Sequence, residues 1–383
     1  MSNCEENKFR VQSIGTSHLG QPLQVRLYDS SVRPLRMLIL CGQHGDERAI
    51  RKDLNYFLDN YADGLYRNVA ALQLAVIADA NPDGFAARTR NNAQGIDLNR
   101  DHLELRAPET RAIHDFIRTW RPHLIVDLHN YPSRRKHLVD QSLRLGWDVC
   151  LEIPTTPAAA CSQEQEPFAS LFEGLNRVSV DHGFQFGRYG LHSVDGSFRH
   201  GTPRLGDARN TLTLRYEVPT LLLEARNPSS KDCRQDRLMV REAVAAALLE
   251  ICFWAAREGG RLLDFELPSH AGLQVPFAYR RRPSNGGQLP VWNIERDSAD
   301  QLSIAYDRRK IQPRRHRELP SSYTVHPSQA ATLKLLEAQG YKLSKSPQCT
   351  CWEIPVDQKG GRLIALLLDE NSSARRLLPG AIE

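Results

Sequence analysis

The chain has 383 residues, of which 41% are apolar and 25% charged, and its formal net charge is +5. That length supports a large core divided into two or three domains, and the composition is that of an ordinary globular protein. So mild a positive charge gives no reason to expect a nucleic acid or an anionic membrane as partner.

No basic region followed by an apolar stretch opens the sequence, so a secretory leader is not expected. The longest apolar stretch, Ala243 to Ala256, contains Glu250 and is too short to span a bilayer. The eight cysteines are scattered, several of them inside apolar runs, and Cys349 and Cys351 lack the spacing of a zinc clip. Reduced thiols and a cytoplasmic location are therefore expected.

Val11 to Tyr28 alternates around Gly15 and Gly20, which predicts a hairpin. Leu35 to Cys41 is a continuous apolar run, the mark of a strand buried on both faces. Asp46 to Tyr61 follows with Ile50, Leu54, Phe57 and Leu58 at helical spacing. Val69 to Ala80 is a second buried strand, ending at the turn Asn81-Pro82-Asp83-Gly84. Phe85 to Asp101 shows little periodicity but concentrates Arg88, Arg90, Asn91, Asn92, Asp97, Asn99 and Arg100 where an open α/β sheet binds ligands. A helix from Ala107 to Trp120 leads to the buried strand Leu124 to His129.

Gln165 to His182 has helical periodicity, and Gly183 to Arg209 reads as loops rich in glycine, histidine and arginine. Val218 to Glu224 is a further strand, and Arg234 to Arg257 a long helix ended by Gly259-Gly260. This alternation argues a mostly parallel sheet covered on both faces. Beyond Phe265 prolines interrupt short alternating runs, so the chain divides into residues 1–265 and a small β-rich domain, 266–383, holding one helix from Ser328 to Gln339. The basic cluster from Arg308 to Arg317 reads as a solvated loop.

Three residues form a candidate metal set, and a fourth is placed as its base. His44 and Glu47 leave one strand end together, and His129 ends another; two imidazoles and a carboxylate are the set with which catalytic zinc is held, leaving a position for water. A lone strand-end histidine is more often a hydrogen-bonded core residue, but the three together outweigh that alternative. Glu224, ending an apolar strand, is placed as the base that takes a proton from zinc-bound water, unless it is a structural partner of Arg226.

With its segments His44-Gly45-Asp46-Glu47, Asn81-Pro82-Asp83-Gly84, Gly95-Ile96-Asp97-Leu98-Asn99-Arg100, Asp127-Leu128-His129 and Leu223-Glu224-Ala225-Arg226, the chain resembles the M14 zinc carboxypeptidases of the carboxypeptidase A type. The resemblance covers roughly residues 10 to 260. It implies an α/β/α sandwich on a mixed, mainly parallel eight-stranded sheet, and one zinc per chain on His44, Glu47 and His129. Glu224 matches the general base, and Arg90 the arginine that stabilises the oxyanion of the scissile carbonyl. Asn99 and Arg100 match the pair that grips a substrate's terminal carboxylate. The substrate implied is a peptide or peptide-like molecule with a free carboxylate. Asp127 is placed to orient a ligand imidazole.

Asp46 stands where digestive members carry arginine, and the His-Gly-Asp-Glu form is similar to bacterial murein-peptide amidases; an acidic residue there suits a substrate amine or is a plain surface carboxylate. Tyr189 and Tyr216 are both candidates for the family's mobile tyrosine. Leu319-Pro320-Ser321-Ser322-Tyr323 is reminiscent of tails on bacterial relatives. Two other readings stay open. Deacylases of the aspartoacylase and succinylglutamate desuccinylase group share the ligand pattern, and a non-catalytic binding module could use the same fold.

Overall fold

The computed structural model describes residues 9–28, 35–69, 71–159, 166–199, 205–227, 234–281, 284–307, 311–347 and 349–369. Cys4, Cys161 and Cys233, and Arg308, Arg309 and Lys310 of the basic cluster, lie outside them.

The alternation around Gly15 and Gly20 folds as the expected hairpin, with β1 (Phe9–Thr16) antiparallel to β2 (Pro22–Tyr28) and Leu23, Val25 and Leu27 buried. The apolar run becomes β3 (Leu35–Cys41), in which only Arg36 is less than buried. Helix α1 (Arg48–Asn68) starts after Glu47 and runs beyond Tyr61, burying Ile50, Leu54, Phe57 and Leu58. After β4 (Leu72–Ile77), the aperiodic stretch holds two short helices, α2 (Pro82–Ala87) and α3 (Leu98–Asp101). Local caps rather than apolar spacing make α2: Asn81 Oδ1 accepts the Gly84 N–H at 2.9 Å and Pro82 presets the first turn.

Next come α4 (Pro108–Trp120), β5 (Leu124–Tyr131), α5 (Lys136–Val139), β6 (Leu143–Leu145) and β7 (Val149–Glu152). The helix predicted from Gln165 is α6 (Glu166–His182). The stretch read as loops instead contains β8 (Phe186–Arg188), β9 (Leu191–His192), β10 (Ser197–Arg199) and the start of α7 (Ala208–Tyr216). Then follow β11 (Thr220–Arg226) and α8 (Arg234–Arg257).

Eight strands form one sheet in the order β1-β2-β4-β3-β5-β11-β7-β8. The four central strands are parallel, and antiparallel pairs occur on either side of them at β2/β4 and β11/β7. One face packs on α1, α6 and α8 through Leu54, Leu171 and Leu248; the other packs on α4 and α7 through Ile113, Phe116 and Leu212. The architecture is thus the α/β/α sandwich on a mixed sheet, and it brings the carboxyl ends of β3, β5 and β11 side by side.

Past residue 265 the chain forms small sheets, one of them the antiparallel pair Gln274–Arg281 and Ile311–Glu318, and the expected helix at Ala330–Ala338. A second helix, Gly361–Leu368, was not expected; with nearly every side buried it has no polar face to mark a helical period. These residues are interleaved with the preceding ones. Val291–Asn293 pairs with β6, Tyr306–Asp307 extends β10, and Gln339 Nε2 donates to the carbonyls of His102 and Leu103 at 2.9 and 2.6 Å.

Candidate active site

The site begins where β3 ends. Gly42 turns the chain with φ +75°, and Gly45 packs so closely on the next turn that a Cβ there would stand 2.0 Å from the Gly84 carbonyl carbon. Asn81 Nδ2 donates to Gln43 O at 3.2 Å, tying the two turns together. Glu47 then occupies the N-cap position of α1, one turn from His44.

His129 comes in from the adjacent strand. His44 Nδ1 lies 2.7 Å from Glu47 Oε1, His129 Nδ1 lies 3.0 Å from Glu47 Oε2, and the two Nδ1 atoms are 3.1 Å apart. Two imidazole nitrogens this close repel through their lone pairs unless a proton or a cation lies between them. The Asn130 backbone N–H donates to Glu47 Oε2 at 3.0 Å and holds the carboxylate in place. Burial pushes the Glu47 carboxyl up, but the His129 and His44 imidazoles outweigh it and hold the group below the ordinary carboxylate range. Two nitrogens and one carboxylate oxygen facing a common centre fit zinc.

Behind the ligands the other ring nitrogens are also engaged. His44 Nε2 lies 3.0 Å from Asp97 Oδ1, and His129 Nε2 lies 3.0 Å from Asp127 Oδ2. A buried series continues inward. Tyr216 OH donates to His114 Nδ1 at 2.8 Å, His114 Nε2 to His102 Nδ1 at 3.0 Å, His102 Nε2 to Gln43 Oε1 at 2.7 Å, and Gln43 Nε2 to Asp127 Oδ1 at 2.8 Å. Gln43, donating to Asp127, must accept from His102 Nε2; the direction farther inward is the one that two neutral imidazoles take. Burial agrees, lowering His102 to about 4 and His114 well below its ordinary value. His129 Nε2 also lies 3.1 Å from Asn99 Nδ2; with its Nε2 proton given to Asp127, the ring would offer Nδ1 to a cation.

Glu224 on β11 is buried, and its Oε2 has no hydrogen-bond partner among the described residues. Arg226, the alternative structural partner, is instead committed to Asp148 and Asp236 at 3.1 and 2.6 Å. Burial is the largest influence on Glu224; with repulsion from Glu47 set against attraction to His129, its pKa is pushed up to about 7.

His44, Glu47, Arg90, Asn99, Arg100 and Glu224 face one cavity of about 510 Å³, with Asp46 exposed at its rim. His129 joins through its contacts with the other two ligands. Arg90 is 45% exposed and bonds Asp97 at 3.0 Å, with Nη1 3.7 Å from Glu47. Arg100 Nη1 lies 3.0 Å from Asp207, and Asn99 Oδ1 accepts the Ala208 N–H at 3.1 Å. Of the two candidate tyrosines, Tyr189 lines this cavity, whereas Tyr216 bonds His114 in the interior.

Gln43, Asp97 and His102, which support the ligands, and Arg135 and Arg209, which line the cavity, were not expected there from the sequence. Asp97 had a signal, because it lies inside the Gly-Ile-Asp-Leu-Asn-Arg segment beside Asn99 and Arg100.

Fold and site together define a class: the carboxypeptidase type of α/β/α sandwich, with a single-metal donor set at the carboxyl ends of its central strands. Residues 2–134 match the family model described as zinc carboxypeptidase, Peptidase M14, and this segment carries all three candidate ligands together with Arg90, Asn99 and Arg100. Carboxypeptidase SOL1 of Arabidopsis thaliana is 37% identical over 142 residues, 31% of this chain and 28% of that protein. Carboxypeptidase 2 of Trichophyton rubrum is 31% identical over 108 residues, 27% of this chain and 20% of that protein. The chain thus spans less than a third of the curated relatives it matches.

Among solved structures, a metallo-carboxypeptidase from Burkholderia cenocepacia superposes with a TM-score of 0.51 at 18% identity, covering 66% of each chain. Bovine thrombin-activatable fibrinolysis inhibitor, solved with a tick carboxypeptidase inhibitor, gives 0.50 at 15% identity, covering 67% of this chain and 91% of that one. At such identities the likeness is one of fold.

Proposed function

We propose that this protein is a zinc-dependent metallohydrolase that removes the C-terminal amino acid from a peptide or peptide-like substrate. The observation that carries the reading is Glu224, a buried carboxylate with an oxygen unpartnered among the described residues, in the same cavity as His44, Glu47 and the Asn99–Arg100 pair. Zinc held by His44, Glu47 and His129, one ion per chain, would polarise a carbonyl and make water acidic enough to react near neutrality.

The chain's own residues supply the rest. Glu224, buried beside the ligand strands, is placed to accept a proton and return it to the leaving amine. Arg90, beside the ligands, offers a fixed cation to the charge that develops on the carbonyl oxygen. Arg100, steadied by Asp207, and Asn99 present donors to a terminal carboxylate. Asp97 and Asp127 hold the two ligand rings. The buried free thiols of Cys41, Cys150 and Cys252 suit a reducing compartment, and a cytoplasmic location forms part of the proposal.

The test compares three substrates sharing one terminal amino acid: a blocked peptide with a free carboxylate, its C-terminal amide, and the N-acyl amino acid. Zinc-loaded protein is expected to release the amino acid from the first and to leave the amide intact, and a chelator should abolish release. Preferential cleavage of the N-acyl amino acid would favour the deacylase reading. Inertness toward all three would leave only a binding module.

A further inference from the structure

The strand order gives Glu224 two different sides. In the run β3-β5-β11-β7, the metal-ligand strands lie on one side of β11 and β7 lies on the other. Toward β7 the cavity wall is basic. Arg209, in the first turn of α7, is 5% exposed; its Nη2 donates to Thr155 Oγ1 at 3.2 Å, just past β7, and lies 3.7 Å from Asp207. Its Nε is buried without a hydrogen-bond partner among the described residues. Asp207 is shared between two guanidiniums, its Oδ1 3.0 Å from Arg100 and its Oδ2 3.7 Å from Arg209.

Arg135, in the segment after β5, lines the same cavity. Its Nε is likewise buried and unpartnered, and no carboxylate of the described residues forms an ion pair with it. Burial and Glu224 push the Tyr189 hydroxyl up while Arg209 and Arg135 oppose them, so both guanidiniums share a neighbourhood with Glu224. Leu222, two residues before Glu224 on the same face of β11, adds an apolar patch to the wall. A guanidinium carries five N–H donors, and buried donors left unpaired are costly. A wall with two incompletely satisfied guanidiniums is therefore built for an anion.

We propose that Arg209, assisted by Arg135, holds a carboxylate on the side chain of the departing residue, so that the substrates are peptides ending in a dicarboxylic amino acid. This deepens the carboxypeptidase reading and rests on it. Arg100 and Asn99 remain for the main-chain carboxylate. Asp46 does not compete for the same group: it belongs to the β3 side, across the metal ligands, and faces solvent.

The experiment uses the full zinc-loaded chain and blocked peptides identical except for a terminal Glu, Gln, Asp, Asn or Lys. The acids are expected to exceed their amide isosteres in kcat/KM on the order of 10- to 100-fold, the worth of a charge-assisted hydrogen bond. Arg209→Gln should bring that ratio close to one, Arg209→Lys should restore part of it, and Arg209→Glu should shift preference toward terminal Lys. Calorimetry with Glu224→Gln protein reads binding of the Glu- and Gln-ended peptides without turnover. Equal rates on the two peptides would overturn the inference while leaving the carboxypeptidase reading intact. If no peptide is cleaved, binding decides: tighter, Arg209-dependent binding of the Glu-ended peptide upholds the anionic pocket, and equal binding overturns it.

Discussion

Glu224 lies directly opposite His129 in the parallel pairing of β11 with β5. Side chains alternate along a strand, so residues paired in this register point to the same face, about 4.8 Å apart at the backbone. A candidate proton carrier and a candidate metal ligand are therefore held next to each other by the sheet itself, and neither depends on a loop for its position.

The support behind His129 should be measurable apart from catalysis. Asp127→Asn removes the charge and leaves one acceptor oxygen for two donors, His129 Nε2 and Gln43 Nε2, and zinc affinity is expected to fall roughly 10- to 100-fold, read by competition with a coloured chelator. Activity measured at saturating zinc should recover in part. Unchanged affinity would mean that Asp127 does not orient the ring.

His102 makes folding stability depend on pH. Burial lowers its pKa from 6.5 to about 4, so between these values the unfolded chain binds a proton that the folded chain refuses. Its contribution is therefore fully present above pH 6.5 and is lost as pH falls toward 4, by about 3 kcal/mol over that window. Denaturant unfolding of wild type and His102→Gln at pH 7.5 and 4.5 should show a smaller acid loss in the variant.

Gly45→Ala tests the contact between the two turns. A Cβ 2.0 Å from the Gly84 carbonyl carbon forces them apart. A stability loss of about 2 kcal/mol or more is expected, together with weakened zinc binding, because His44 precedes the clash directly.

How much of this was legible in the sequence depended on how each residue declares itself. His44, His129 and Glu224 were visible because each ends or follows an apolar run, which marks both the strand and its carboxyl end. Arg209 was hidden. It opens α7, a helix buried along its whole length with Asn210, Thr211, Thr213 and Arg215 inside it, so no apolar stripe distinguished it from a loop. The interior series was hidden for another reason: Gln43 meets Asp127 across 84 residues of chain, a pairing that only the sheet order creates. The boundary drawn at residue 265 followed a change in proline content, and remains a proposal about where the catalytic part ends. The contacts made by Val291–Asn293, Tyr306 and Gln339 with earlier segments show how closely the later residues attach to it.

Arg90→Ala separates carbonyl stabilisation from binding. Because the guanidinium stands beside Glu47 and Asp97 at the metal centre rather than at Arg100, kcat is expected to fall roughly 100- to 1,000-fold with little change in KM. A change confined to KM would reassign Arg90 to substrate binding.

The most direct test of the account is the Glu224→Gln variant in its zinc-loaded form, assayed for amino acid release from a blocked peptide with a free carboxylate. One zinc per chain, as in wild type, near-native peptide binding, and a turnover rate lowered by roughly 100- to 10,000-fold are expected. Wild-type turnover in the zinc-replete variant would contradict the assignment of Glu224 as the base.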